Sequence, residues 1–145
     1  MSKTWVLVAD SARAKIFRAQ SPVGPLLEVE DWVHPESRLH ELDINADKPG
    51  RTHDSAGQGR HAMENEVSPK RQDAREFAHE LAERLDKART EGLFDQLVLV
   101  AAPSFLGLLR EALPKQTRER VTAEVDKDLV THDPADIRQH LPYRI

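Results

Sequence analysis

Cysteine is absent from the sequence, which excludes a disulfide framework, a thiolate metal site and a cysteine nucleophile together. Aromatic residues make up only 5% of the chain, and glycine occurs six times in 145 residues. No apolar run approaches the roughly 20 residues that a membrane-spanning helix needs, so no membrane partner is expected. The first residues, MSKTWVLVADSAR, hold one lysine and an apolar run from Trp5 to Ala9 only. That run is shorter than the roughly 7 to 15 residues of an export-signal core. A cytoplasmic location is therefore the expectation. A net charge of −4 argues against wholesale coating of nucleic acid, although a local basic patch can hold a phosphate backbone inside an acidic protein.

What is present reads as one domain over 1–145, long enough to bury a real core. Thr4 to Ala9 is a near-continuous apolar run, the pattern of a strand buried on both faces. A polar turn at Asp10 to Arg13 leads into a second strand, Ala14 to Ala19, paired back as a hairpin. Leu26 to Val33 follows as a third, with Leu27, Val29 and Val33 on one face and Glu28, Glu30 and Trp32 on the other. After a long gap, Ala74, Phe77, Ala78, Leu81, Ala82, Leu85 and Ala88 recur at helical spacing. Ser68 is the expected N-cap of that helix, Pro69 its first residue and Gly92 its C-cap. The opposite face, with Lys70, Arg71, Glu76, Glu80, Glu83, Arg84 and Lys87, reads as solvated. Asp95 to Ala102 is a second buried strand. A helix from Pro103 then packs through Phe105, Leu106, Leu109 and Leu113 and stops at Pro114. A polar link precedes an edge strand at Glu119 to Val125, and Asp133 with Pro134 opens a short final helix carrying Ile137 and Leu141. The order βββαβαβα predicts an α/β fold with a mixed sheet and helices on its faces.

Between His34 and Val67 no apolar period is sustained, and a stretch that long inside a compact domain is either functional or mobile. Mobility is expected for about 34–67. Gly50, Gly57 and Gly59 are half of the chain's glycines, and Arg51, His53, Arg60 and His61 lie among them. From Lys48 to His61 the formal charge is about +2, unlike the acidic remainder. Lys70, Arg71 and Arg75 continue the basic character into the helix. These residues are the candidates for holding RNA phosphates. With no Phe, Tyr or Trp in the loop to stack on bases, such binding would be directed at the backbone and steeply salt-dependent.

Several segments carry a resemblance of another kind. WVLVADSARAKIF at Trp5 to Phe17, KPGR at Lys48 to Arg51 and the F-A-x-x-L-A core at Phe77 to Ala82 resemble the bacterial host attachment protein family. So do LVLVAAPSFLGLLR at Leu97 to Arg110 and DKDLVTHDPADIRQHL at Asp126 to Leu141. The match spans nearly the whole chain. It implies a domain similar to the middle domain of archaeal and eukaryotic peptide-chain release factors, whose sheet is ribonuclease-H-like. In those factors a Gly-Gly-Gln tripeptide before the long helix positions water against the peptidyl-tRNA ester. Here the stretch is SAGQGRHAM: Gly57 and Gln58 match the second and third positions, and Ala56 stands where the first glycine would be. Alanine resists the positive-φ conformations open to a glycine pair. The resemblance implies tRNA or the ribosome as partner and makes Gly57 and Gln58 the catalytic candidates, with Gln58 orienting water because an amide has no useful pKa near neutrality. The family's name points to attachment to host cells, read here as a phenotype. From the residues alone, a non-catalytic module whose loop orders on a protein partner remains the alternative.

Other chemistries fit less well. His53, Asp54, His61 and Glu64 match no established ligand spacing, so no metal and no cofactor is expected. Asp10, Asp95 and Asp126 could imitate the carboxylates of a two-metal nuclease, but Asp10 reads first as the cap of its turn. Gly57-Gln58-Gly59 lacks the Lys-Ser or Lys-Thr of a phosphate loop. No nucleophile elbow surrounds Ser11, Ser55 or Ser104.

Overall fold

The structure is a computed structural model that describes residues 3–34 and 69–145. Five strands, β1 (Thr4–Ala9), β2 (Arg13–Ala19), β3 (Leu26–Val33), β4 (Gln96–Ala101) and β5 (Val121–Val125), form one mixed sheet in the order β3-β2-β1-β4-β5. β2 is antiparallel to both β1 and β3, while β4 is parallel to β1 and to β5. Consequently β1, β3, β4 and β5 all point their carboxyl ends at one rim. The helices are α1 (Pro69–Thr90), α2 (Pro103–Ala112), α3 (Lys115–Arg118) and α4 (Pro134–Gln139). α3 is a single turn within what reads as a polar link.

Period-two alternation in the buried strands supplies two cores. Trp5, Leu7 and Ala9 of β1 and Leu97, Leu99 and Ala101 of β4 face α1 and α2, where they meet Phe77, Leu81, Leu85, Phe105, Leu106 and Leu109. Val6, Val8, Val98 and Val100 face the other way, onto Leu129, Val130, Ile137 and Leu141. Every apolar position expected on the α1 stripe, from Ala74 to Ala88, is buried. α1 ends as a Schellman motif: Leu93 N–H donates to Ala88 O, Gly92 N–H donates to Arg89 O, and Gly92 has φ +75°. Its expected N-cap, Ser68, lies outside the described residues. At α4, Asp133 accepts from Asp136 N–H at 2.8 Å, as its place before Pro134 suggests.

β3 departs from simple alternation. Ile16 pairs with Glu30 and Phe17 with Glu28, so Val29 is an extra residue opposite β2. A bulge of this kind reverses which face each later side chain takes. Leu26 therefore joins the α4-side core and Trp32 the α1-side core, although unbroken alternation would put both on one face. Leu27, Val29 and Val33 are left 44%, 41% and 47% exposed on this edge strand. His34, expected to begin a mobile loop, is instead fully buried, and its N–H donates to Ala12 O at 2.9 Å. The remaining expectation of mobility, over 35–67, lies outside the described residues.

Candidate functional site

In open α/β sheets ligands bind beyond the carboxyl ends of the strands, where neighbouring connections diverge. Here that place lies between the ends of β1 and β4, since the chain leaves β1 towards β2 and β3 on one side and reaches β4 and β5 on the other, and the end of β3 shares the same rim two strands away. Asp10 sits there and is occupied as a turn cap: its Oδ1 accepts from Ala12 and Arg13 N–H, both at 2.8 Å. His34 follows β3 at the same rim, and α1 starts from it.

The His34 imidazole stacks on Phe77, with ring centroids 4.9 Å apart and planes 23° from parallel. Its Nδ1 lies 3.9 Å from Glu80 Oε1. Asp73 and Glu76 each bring a carboxylate oxygen to the same imidazole, the three ligating atoms all within 4.8 Å of one another. Spacings of three and four place Asp73, Glu76 and Glu80 along one face of α1. His34 and Asp73 are missed by sequence reasoning, because each reads singly as an unremarkable polar residue. The signal that could have found them is the i, i+3, i+7 row of acids facing the end of the third strand.

Arg84, expected on a solvated face, is also drawn inward. Its guanidinium grips the Glu30 carboxylate with Nε 3.0 Å from both oxygens, and it lies 5.8 Å from the Trp5 ring centroid. Trp32 Nε1 donates to Glu30 Oε1 at 2.9 Å. The Arg84 hydrogen bond holds the Glu30 carboxyl below its ordinary range, and Glu30 in turn raises the guanidinium. Farther along α1, Asp86 accepts from Thr117 Oγ1 at 2.7 Å and from Arg89 at 3.0 Å, which lowers its carboxyl. These are fastenings between α1 and its neighbours.

Of the expected nucleic-acid contacts, Lys70 and Arg71 fall in the first turn of α1, and Arg75 is exposed on the next turn. Arg51, His53, Gly57, Gln58, Arg60 and His61 lie outside the described residues. The three-aspartate nuclease reading fails on topology. Asp10 and Asp126 lie at the carboxyl rim, whereas Asp95 precedes β4 at the opposite rim, where Lys3 N–H donates to its Oδ2. The six residues of β1, at about 3.3 Å each, hold it roughly 20 Å from Asp10. At that opposite rim a cleft is lined by Pro22, Gln96, Thr122, Pro142 and Arg144. Among the described residues its lining holds no acid–base pair.

Comparison with known proteins accounts for the chain almost end to end. An uncharacterized protein of Rickettsia prowazekii (strain Madrid E) is 26% identical over 137 residues, covering 88% of this chain and 85% of that protein. The profile of a family described as protein required for attachment to host cells matches residues 5–141, a span that takes in both cores, the carboxyl rim and the whole of α1. By that match the chain belongs to the family of proteins required for attachment to host cells.

Proposed function

We propose that this protein is a release-factor-like module of the cytoplasm that binds tRNA or the ribosome through the segment 48–75. The observation that carries the reading is the sheet order β3-β2-β1-β4-β5 with only β2 reversed, and a long helix that opens within that segment, at Pro69. This order supports a ribonuclease-H-like sheet of the release-factor middle-domain type. The basic residues from Lys48 to Arg75 supply the charge for phosphates, and Arg75 already stands exposed where the segment meets α1. Any chemistry would be hydrolysis of the peptidyl-tRNA ester, with Gln58 orienting water and Gly57 giving the backbone its reach.

Ribosome co-sedimentation at low and high salt tests the proposal. The wild type should pellet with ribosomes at low salt and be released as salt rises. Arg51→Ala/Arg60→Ala should bind more weakly, with a salt slope shallower by about 2, while Gln58→Ala should bind as wild type. If no form pellets at any salt, the reading is overturned. A second reading, a non-catalytic module that docks on a protein, draws on the exposed Leu27, Val29 and Val33 of edge strand β3. It expects capture of a protein partner that salt does not disturb and that a Val29→Lys/Val33→Lys variant loses.

A further inference from the structure

We propose that His34, Asp73 and Glu76 form a binding site for a divalent first-row transition-metal ion such as zinc or manganese. One imidazole and two carboxylates are the donor set such ions take, whereas magnesium and calcium prefer oxygen ligands alone. Donors held about 2.0–2.2 Å from a tetrahedral centre lie roughly 3.3–3.6 Å apart, so atoms already within 4.8 Å need to close by about 1.5 Å at most. The two carboxylates can make that adjustment, because Asp73 is half-buried and Glu76 exposed.

The imidazole is the fixed member. It is fully buried, held at its backbone by the bond to Ala12 and kept in plane by the Phe77 ring. A ligand whose rotamer is locked by packing pre-organises a metal site, while one free to rotate does not. Glu80, 3.9 Å from Nδ1, stands beyond hydrogen-bond range of the ring and adds a third carboxylate beside it. Among residues 3–34 and 72–145 no lysine or arginine pairs with Asp73 or Glu76. The three acids of α1 thus gather negative charge around one imidazole, which an ion of charge +2 would offset. Three protein ligands leave coordination positions open to water or substrate, on the rim where this class of sheet binds ligands. Bound there, the ion would join the end of β3 to the opening turns of α1. The site uses none of His53, Asp54, His61 or Glu64, and it stands apart from the phosphate-binding proposal.

The test is isothermal titration of the full chain, stripped with EDTA, using zinc, manganese, magnesium and calcium chlorides separately. The wild type should take one zinc or manganese ion and melt at a higher temperature with it, since an ion that binds the folded state stabilises that state. Asp73→Asn/Glu76→Gln alters only partly exposed side chains. It should retain the wild-type circular dichroism and bind at least about tenfold more weakly, whereas the exposed Glu83→Gln should bind as wild type. Cobalt(II) should give the wild type a visible absorption band that the double variant lacks. Absence of saturable binding by the wild type overturns the proposal. So does undiminished binding by the double variant, which would put the ion on other groups, and magnesium or calcium binding as tightly as zinc overturns the assignment to transition metals.

Discussion

Phe77 carries more of the architecture than any one contact suggests. It is fully buried, stacks on His34 and lies 6.1 Å, centroid to centroid, from Phe105 of α2. Phe77→Ala would remove both ring contacts and open a cavity between α1, α2 and the end of β3. The expected cost is about 3–5 kcal/mol, read from urea unfolding. Gly92 makes a cleaner case, because a Cβ there would meet nothing within 4 Å, yet the residue sits at φ +75°. Gly92→Ala should destabilise by about 1–2 kcal/mol through backbone conformation alone. Gly92→Asn should cost less, since asparagine tolerates this region. Equal effects of the two substitutions in the same unfolding assay would show that the Schellman turn does not set the cost.

Among the elements, β3 makes the sharpest prediction. Because Val29 is the residue that β2 leaves unmatched, deleting it should give regular alternation from Leu26 to Trp32 and leave both side chains in their present cores. The deletion variant should fold with Trp32 still shielded in fluorescence quenching. Deleting Asp31 instead shifts the register past the bulge and should expose the tryptophan. The bulge is also where sequence reading stopped. Strands β1, β2 and β4, the α1 stripe from Ala74 to Ala88 and the Asp133 cap were all legible, because burial on two faces, helical spacing and capping chemistry are local signals. Val29 is β-branched and apolar like any strand residue, and nothing in its neighbours marks it as unpaired. His34 was missed for a related reason: the ring that covers this histidine is Phe77 of α1, far along the chain, and nothing local to His34 announces it. The single turn α3 is too short for a periodic pattern to announce it.

At the scale of the whole molecule, two carboxylates fasten α1 to the rest. Glu30 joins it to the β3 edge and Asp86 joins it to α3, and both carboxyls are lowered in the fold, from 4.5 and 3.8 respectively. The folded state therefore binds these protons less readily than the unfolded chain. Their stabilisation is present above about pH 4.5 and fades as pH falls through the lower folded values. Thermal unfolding between pH 7 and 3 should show the melting temperature of the wild type falling more steeply in acid than that of Glu30→Gln/Asp86→Asn, which starts lower. Parallel curves would remove these two pairs from the account of acid stability. The rims of the sheet have a practical corollary. Lys3, whose Nζ donates to Gly92 O, and Ile145, whose N–H donates to Pro22 O, both lie at the rim away from His34. A tether, fluorophore or fusion partner attached at either place will hang from the far side, so the protein can be immobilised for binding work with its histidine rim presented to the solution.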